Sequence, residues 1–295
     1  MAMDPTVSVV ICTRLRPIEL GNCLRAIAAL ERQPDELIIV DNSVGDKETA
    51  QLAREFSATY IVEPITGLSR ARNRGLSEAK SEIVAYLDDD SAPEKDWLEQ
   101  ILEPFSDSRV AIVTGNVVRS KKQDCSREIS HLRFLDNKNT QWFEITVFGG
   151  LGRGCNMAFR RSACKLPNMF DERLGRGAPY RGMEEHFAFA KLLSGNHAAV
   201  YVPSATVFHF RSNLMVPSRD ARNAVAYVLL LFTEFPQHRL DLLRFLIRRI
   251  RRKPLNWKRD APDPGQLVTS NWLILFKAGI SGTLLYLRTR KTADI

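Results

Sequence analysis

The sequence has few of the residues from which disulfide frameworks and zinc sites are built. It contains five cysteines in 295 residues, an odd number, and no two of them form a Cys-x-x-Cys pair. This scatter excludes a disulfide scaffold and a Cys-rich zinc site, and it indicates reduced thiols in a cytoplasmic setting. We interpret Cys12 and Cys155, which both lie in apolar runs, as small core residues.

Long apolar runs and a leader-like amino terminus are also lacking. Residues 1–5 carry no basic stretch and precede no long apolar segment, so we expect no secretory signal. The apolar run at 224–232 is too short to cross a bilayer, and Lys277 interrupts the longer one at 267–287. None of the five histidines has a second histidine four residues away, which excludes the zinc-protease motif.

The net charge of +8 is concentrated near the carboxyl end. Residues 239–295 hold 13 Lys and Arg against 4 Asp and Glu, so the rest of the chain is nearly neutral. A helix over 239–252 would align Leu240, Leu243, Ile247 and Ile250 on one face, with arginines elsewhere. Two interpretations stay open: the tail lies on the anionic inner surface of the plasma membrane, or it packs as a helical cap on the rest of the chain. A third, that it grips nucleic acid, lacks interleaved aromatic residues, and no nucleic acid is expected.

The first half of the chain alternates between strand and helix patterns. Apolar runs at 7–13, 36–40, 58–62 and 83–87 predict strands, and periodic segments at 18–31, 46–56 and 68–76 predict helices, the last with Ser69 as its N-cap. This order predicts a parallel sheet with helices on both faces. The later pattern continues with a helix at 94–105, a strand at 110–118, an excursion over 119–139, a strand at 155–159, a helix at 183–195, and strands at 197–202 and 205–210.

Three adjacent carboxylates, Asp88, Asp89 and Asp90, follow the strand at 83–87. Three like charges repel, and a hard divalent cation such as Mg²⁺ or Mn²⁺ would remove that penalty. On an extended backbone Asp88 and Asp90 share one side, while Asp89 points away. The alternative is an acidic turn that caps the helix beginning near Pro93. Thr13 and the Asp-Asn pair at 41–42 also follow strands, at the edge where such sheets bind ligands.

Several of these segments, in this order, resemble glycosyltransferase family 2. The resemblance covers residues 7–211 and rests on the opening 8–14, the strand end 39–43, the segment 67–75, the aspartates at the position of an Asp-x-Asp motif, and Glu184-Glu185 at the position of a Glu-Asp motif. It implies the GT-A fold, an α/β architecture with a mixed, mainly parallel sheet. The expected catalytic domain is 1–215, with a donor half at about 1–118 and an acceptor half at about 119–215. A basic helical region follows at 216–295.

The resemblance also implies roles for particular residues. Glu185 would be the catalytic base, although glutamate replaces the aspartate of the motif. Glu184 and Asn156 would contact the acceptor. Asp90, Asp88 and His209 would hold Mg²⁺ or Mn²⁺. The residues expected to bind the nucleotide sugar are Thr13, Arg14, Asp41, Arg72, Arg74, Asp88 and Asp89, with Asp41 on the base and the arginines on the phosphates.

The implied activity is metal-dependent, inverting transfer of a sugar from a nucleotide-diphosphate sugar to a hydroxyl acceptor. If the tail lies on a membrane, we expect that acceptor to be lipid-linked or a growing envelope glycan; glycosylated natural products are the other candidates. The main alternative is a sugar-nucleotide nucleotidyltransferase, which would want a glycine-rich phosphate loop after the first strand. Residues 13–17 contain no glycine. The sequence leaves the sugar, the base, the acceptor and the oligomeric state open.

Overall fold

The structure is a computed structural model that describes residues 5–118, 134–164, 168–209, 217–251 and 272–290. Most of the predicted excursion at 119–139 and the end of the last predicted strand, at 210, lie outside these ranges. So does the stretch 252–271, which holds part of the basic tail.

Within the described residues, nine strands form one mixed sheet in the spatial order β3-β2-β1-β4-β8-β6-β9-β5, with β7 paired to β9. The first four strands are parallel to one another, whereas β8 runs antiparallel between β4 and β6. The strands are β1 (Val7–Thr13), β2 (Glu36–Asp41), β3 (Thr59–Val62), β4 (Ile83–Asp88), β5 (Ser91–Pro93), β6 (Val110–Val118), β7 (Phe134–Leu135), β8 (Asn156–Arg160) and β9 (Ala198–His209).

Helices cover both faces of this sheet, because successive strand residues point to opposite sides. In β1, Val9 and Ile11 pack into one apolar cluster and Val10 into the other. The helices are α1 (Pro17–Ala28), α2 (Lys47–Glu55), α3 (Leu68–Glu78), α4 (Trp97–Leu102), α5 (Trp142–Val147), α6 (Glu184–Ser194), α7 (Pro217–Glu234), α8 (Arg239–Arg251) and α9 (Trp272–Arg290).

Three local predictions were wrong. Helix α4 begins at Trp97, and the residues before it form β5, which pairs with the end of β9. Strand β9 continues through Pro203 with a register irregularity instead of breaking there. Ser69 does not cap α3: Gly67 occupies the N-cap position, and the Ser69 hydroxyl donates to the carbonyl of Leu174 at 2.8 Å. In each case contacts with residues distant in the chain determine the local structure, and the local sequence pattern does not show those contacts.

The strand register gathers the predicted site residues at one edge. Cys12 pairs with Asp88 between β1 and β4, and Thr13 pairs with Asp41 between β1 and β2. At the far side Ser91 of β5 pairs with His209 of β9. The chain therefore turns between β4 and β5. The pairing of β5 with β9 places the aspartates beside the last residue of β9.

The described tail helices pack into the apolar core that covers one face of the sheet. Phe245 of α8 stacks on Phe148 at 3.9 Å between ring centroids. The Tyr227 hydroxyl of α7 donates to the carbonyl of Val147 at 3.3 Å. These contacts are those of the helical cap, whereas the domain boundary at 215 stays a prediction. Among the described helices, none has the length and apolar character to cross a membrane.

The same helices hold the loop that precedes α6. Arg173 bridges Asp171 at 2.6 Å and Glu234 of α7 at 2.7 Å. The Tyr180 hydroxyl hydrogen-bonds Thr289 of α9 at 2.6 Å, in a buried position. The tail therefore fixes the segment that leads into Glu184 and Glu185.

Candidate active site

Buried His209 and the partly exposed Asp88 and Asp90 form a cluster near the carboxyl ends of β4 and β9. The Nε2 atom of His209 lies 3.0 Å from Asp90 Oδ1 and 3.6 Å from Asp88 Oδ2. Although it is buried, this nitrogen has no hydrogen bond of acceptable geometry. Carboxylate oxygens and an imidazole nitrogen are ligands that divalent cations take. Among the described residues, the ligand atoms that all lie within 4.8 Å of one another are those of Asp88, His209 and Cys155. Asp90 approaches this group through His209, and the metal role of Asp88, Asp90 and His209 stays a prediction.

The electrostatics of the cluster are those of acids held beside a cation. Burial alone would raise the pKa of Asp88 and of Asp90, but His209, together with nearby arginines, outweighs it and lowers both. Burial would lower the pKa of His209, but the two carboxylates raise it to about 9. Positive charge from the protein therefore balances the carboxylates in this structure.

Asp89 faces away from His209, as predicted, although β4 ends at Asp88 and Asp89 lies in the turn that follows. It accepts a hydrogen bond from the Thr13 hydroxyl at 2.8 Å and pairs with Arg16. Burial raises its pKa to about 6, against the effects of Thr13 and Arg16. Arg16 also reaches Asp90 Oδ2 at 2.8 Å, which leaves Oδ1 facing His209. Sequence reasoning missed Arg16, although it follows β1 in the same loop as Arg14.

Arg72 lies beneath the site instead of facing the phosphates. Its side chain is 3% exposed and donates to Glu184 at 2.7 Å, to Asp88 at 3.3 Å and to the carbonyl of Gly154 at 3.2 Å. A Cβ at position 154 would lie 2.7 Å from the guanidinium, so only glycine allows this approach. Arg72 is therefore a positioning residue in this structure.

Arg74 points away from the site. It forms an exposed ion pair with Glu78, one helical turn along α3, at 3.0 Å, and it is not among the residues that line the cleft. The phosphate contact of Arg74 stays a prediction, and in this structure α3 turns the guanidinium to the outer face.

Glu184 and Glu185 begin α6 but have different surroundings. Glu184 is buried; burial, followed by repulsion from Glu185, raises its pKa to about 7 against the opposing effect of Arg72. Its Oε2 has no hydrogen-bond partner among the described residues. Glu185 is more exposed and accepts from the Gly154 N–H at 3.3 Å. Glu185 thus holds a more exposed carboxylate beside Gly154, in the loop before β8.

Asp41 and Asn156 are engaged in structural hydrogen bonds. Asp41 is fully buried and accepts from Ser43, the Asp46 N–H and Tyr60 at 2.6–2.7 Å. Its carboxylate thus shapes the loop after β2. For Asn156 the acceptor contact stays a prediction, and this structure shows its amide bonded within the protein. Its amide donates to two backbone carbonyls at 2.8 Å and accepts from the indole of Trp97 at 2.9 Å, all in the interior.

A cleft of about 310 Å³ opens beside these carboxylates. Three arginines from two loops, Arg14, Arg16 and Arg176, line it together with Asp88 and Asp89. Guanidinium groups suit phosphate oxygens, so this cleft has the chemistry of a diphosphate site. Arg176 was missed by sequence reasoning because it lies in the glycine-rich loop before α6, far along the chain. Another cavity, of about 340 Å³, lies near the opposite ends of the strands, at Asp35 and Glu36.

Two residues with left-handed backbone flank the site. Leu15, between Arg14 and Arg16, has φ of 53°, and Met183, directly before Glu184, has φ of 68°. Non-glycine residues rarely adopt this conformation, and such outliers concentrate at functional sites. Here Leu15 lies in the turn that carries Arg14 and Arg16, and Met183 lies in the turn that begins α6.

The family can now be assigned. The model of the family described as "Glycosyl transferase family 2" matches residues 8–166, more than half of the chain. The chain belongs to glycosyltransferase family 2. Solved structures confirm the predicted GT-A fold. One is the mannosyltransferase PcManGT from Pyrobaculum calidifontis, in complex with GDP-Man and Mn²⁺. It has a TM-score of 0.58 and 16% identity, and the match covers 100% of this chain and 82% of that one. Another is S. aureus TarS 1–349 with UDP-GlcNAc, with a TM-score of 0.62, 14% identity and coverage of 95% and 81%.

Two curated relatives share more sequence with this glycosyltransferase family member over shorter stretches. The succinoglycan biosynthesis protein ExoM of Rhizobium meliloti is 32% identical over 166 residues, which cover 53% of this chain and 52% of that protein. The glycosyltransferase AglE of Haloferax volcanii is 33% identical over 121 residues, or 38% and 40%. The chain thus matches about half or less of the length of these relatives.

The two arginines of α3 provide a matched test of the site's construction. Arg72→Met should lower the free energy of unfolding by about 3–5 kcal/mol, because it leaves Glu184 and Asp88 without their buried partner. Arg74→Met should change it by less than about 1 kcal/mol, because an exposed ion pair contributes little. Urea denaturation of both variants measures the difference. Equal losses would contradict the positioning role of Arg72.

Proposed function

We propose that this protein transfers a sugar from a nucleotide-diphosphate sugar to a hydroxyl group, with inversion and with the help of a divalent metal. The observation that carries the proposal is the cluster of Asp88, Asp90 and His209 beside a cleft lined by arginines, with Glu185 close by. The nucleotide sugars bound to the two solved structures support the donor class, and the Mn²⁺ of the mannosyltransferase supports the cofactor.

In this proposal the donor lies in the cleft at the strand ends. Arg14 and Arg176 contact the diphosphate, and Arg16 holds Asp89 and Asp90 in place. Asp41 acts on the base pocket through the loop that it organises. Asp88, Asp90 and His209 would hold Mg²⁺ or Mn²⁺, which stabilises the negative charge of the departing diphosphate when bound.

Glu185 is the proposed catalytic base that takes the proton of the acceptor hydroxyl. Burial, followed by repulsion from Glu185, raises the pKa of Glu184. Glu184 accepts a hydrogen bond from Arg72 in the interior, whereas Glu185 is the more exposed of the two carboxylates. A base opposite the leaving group would give a single displacement and an inverted anomeric centre.

Nucleotidyl transfer is the other reaction that an enzyme with a sheet of this class could catalyse. It would join a nucleoside triphosphate to a sugar phosphate and release pyrophosphate. The glycine-free loop at 13–17 and the carboxylate at 185 favour transfer from a finished nucleotide sugar. Pyrophosphate release with any triphosphate and sugar phosphate would favour the rival reaction.

Donor binding tests the role of the divalent metal. Calorimetry with UDP-, GDP- and dTDP-sugars should show binding of at least one donor that strengthens when Mn²⁺ is added. Asp90→Asn should remove most of the gain from Mn²⁺, because it deletes a charged ligand. The control Asp107→Asn, at an acid that pairs with Arg109 on the surface, should retain it. Donor binding that is indifferent to Mn²⁺ in the unmodified protein would contradict the metal dependence.

Turnover tests the role of Glu185 as the catalytic base. Glu185→Gln should leave donor affinity nearly unchanged and lower kcat by about 10²–10⁴-fold, the range typical of general-base loss. Glu99→Gln, at an exposed position of α4, should leave both unchanged. Transfer to the best acceptor found by screening is the readout. Equal kcat values for the Glu185 and Glu99 variants would remove Glu185 from the mechanism.

We also propose that the tail places the enzyme on the anionic inner surface of the plasma membrane, where a lipid-linked acceptor would be within reach. Helix α8 buries Leu242 and Phe245 but exposes Leu240, Leu243 and Ile247, which lie at helical spacing. Helix α9 likewise exposes Ile280, Leu284 and Leu287. Exposed apolar stripes within a strongly basic region suit an interface of anionic lipids.

Vesicle sedimentation tests this placement without disturbing the core. The double variant Leu243→Glu, Ile247→Glu should bind phosphatidylglycerol vesicles at least about tenfold more weakly, since two apolar side chains no longer enter the lipid. Ile18→Glu, at a residue 77% exposed on α1, should bind like the unmodified protein. Failure of the unmodified protein to bind these vesicles, or its self-association through the stripes instead, would contradict the membrane proposal.

A further inference from the structure

Cys155 lies at the metal cluster, although its apolar surroundings in the sequence suggested a plain core residue. Its Sγ, one carboxylate oxygen of Asp88 and one ring nitrogen of His209 all lie within 4.8 Å of one another. The side chain is 5% exposed. Burial, followed by the charge of Asp88, raises the pKa of its thiol.

The position of Cys155 is held by the same network that builds the active site. The preceding residue, Gly154, donates its N–H to Glu185 and offers its carbonyl to Arg72. The following residue, Asn156, has its amide bonded to two strands and Trp97. The backbone on both sides of the thiol is thus fixed, and the sulfur stays beside Asp88.

A second observation points to a ligand at this place. His209 is more than nine-tenths buried, and its Nε2 has no hydrogen bond of acceptable geometry although two carboxylates surround it. The contacts with Asp90 and Asp88 give this nitrogen charged neighbours but no aligned hydrogen bond, which leaves it suited to bind a cation. Cys155 and His209 therefore approach the Asp88 carboxylate as sulfur and nitrogen donors.

We propose that Cys155 turns this site into one that also binds a thiophilic divalent cation, such as Zn²⁺, through Asp88, Cys155 and His209. One oxygen, one sulfur and one nitrogen are ligands that zinc takes in four-coordinate sites, with one position left for a donor oxygen or water. Hard cations prefer Asp90 to the thiol. At metal–ligand distances of about 2.0–2.3 Å, tetrahedral ligands lie about 3.3–3.8 Å apart, and the three ligand atoms lie within 4.8 Å of one another.

The binding step is a ligand exchange without redox change. The bond between Sγ and its proton breaks, the sulfur lone pair forms the bond to the cation, and the proton leaves to solvent. Zn²⁺ binds nitrogen and sulfur donors more tightly than Mn²⁺ does. Zn²⁺ should consequently displace Mn²⁺ from the shared ligands Asp88 and His209.

This inference deepens the proposed metal site and rests on it, and Co²⁺ provides a spectroscopic probe that does not depend on activity. Titration of the full chain, freed of metal, with Co²⁺ should give the near-ultraviolet charge-transfer absorption of a cobalt–thiolate bond, and Zn²⁺ should abolish it. Cys155→Ser should lose this absorption and bind Zn²⁺ at least about tenfold more weakly, as expected when a ligand is removed. Cys164→Ser, at a buried thiol whose Sγ contacts the carbonyl of Arg160, is the matched control and should behave like the unmodified protein.

X-ray absorption at the zinc edge tests the unmodified protein directly, whatever the fate of the variants. It should show one sulfur at about 2.3 Å, and Mn²⁺ affinity measured by paramagnetic resonance should change less than about twofold in Cys155→Ser. Zinc bound with oxygen and nitrogen only, or a thiolate signal that persists in Cys155→Ser, would overturn the role of Cys155 and leave the Mn²⁺ site intact. If neither Mn²⁺ nor Zn²⁺ binds the protein, both proposals fall.

Discussion

The buried guanidinium of Arg72 is the contact on which the active site depends. It joins α3 to the end of β4 through Asp88, to the loop before β8 through Gly154, and to the start of α6 through Glu184. The loop before β8 and the start of α6 lie far along the chain from α3 and β4, and Arg72 joins all four. A positive charge inside the protein is stable only with such partners, so the arginine and the carboxylates define each other's positions.

The tail takes part in the same construction. Its helices close the apolar core and hold the loop before α6 through Glu234 and Thr289. That loop carries Arg176 into the cleft and ends at Glu184. The proposed membrane contact by the exposed stripes of α8 and α9 would therefore take place on the helices that hold the loop before Glu184 and Glu185.

Sequence patterns predicted the strands, the ligand edge and the opposite directions of Asp88 and Asp89, because strand periodicity and the order of elements determine them. They did not reveal that β5 pairs with β9, the contact that sets Asp90 beside His209. The family motif alone had suggested that histidine. Arg72, Arg74 and Asn156 were assigned to substrates because a residue type does not say whether its partners are inside the protein. Cys155 was interpreted as a core residue because its neighbours in sequence are apolar, but its neighbours in space include Asp88 and His209.

The central proposal is that Asp88, Asp90 and His209 hold a divalent cation at the diphosphate of a nucleotide-sugar donor. Anomalous diffraction from crystals grown with Mn²⁺ and the donor chosen by calorimetry tests it most directly. The account predicts one manganese peak bonded to these residues and to the diphosphate, with Arg16 still bound to Asp89. A donor bound in the cleft without manganese, or with manganese elsewhere on the protein, would contradict it.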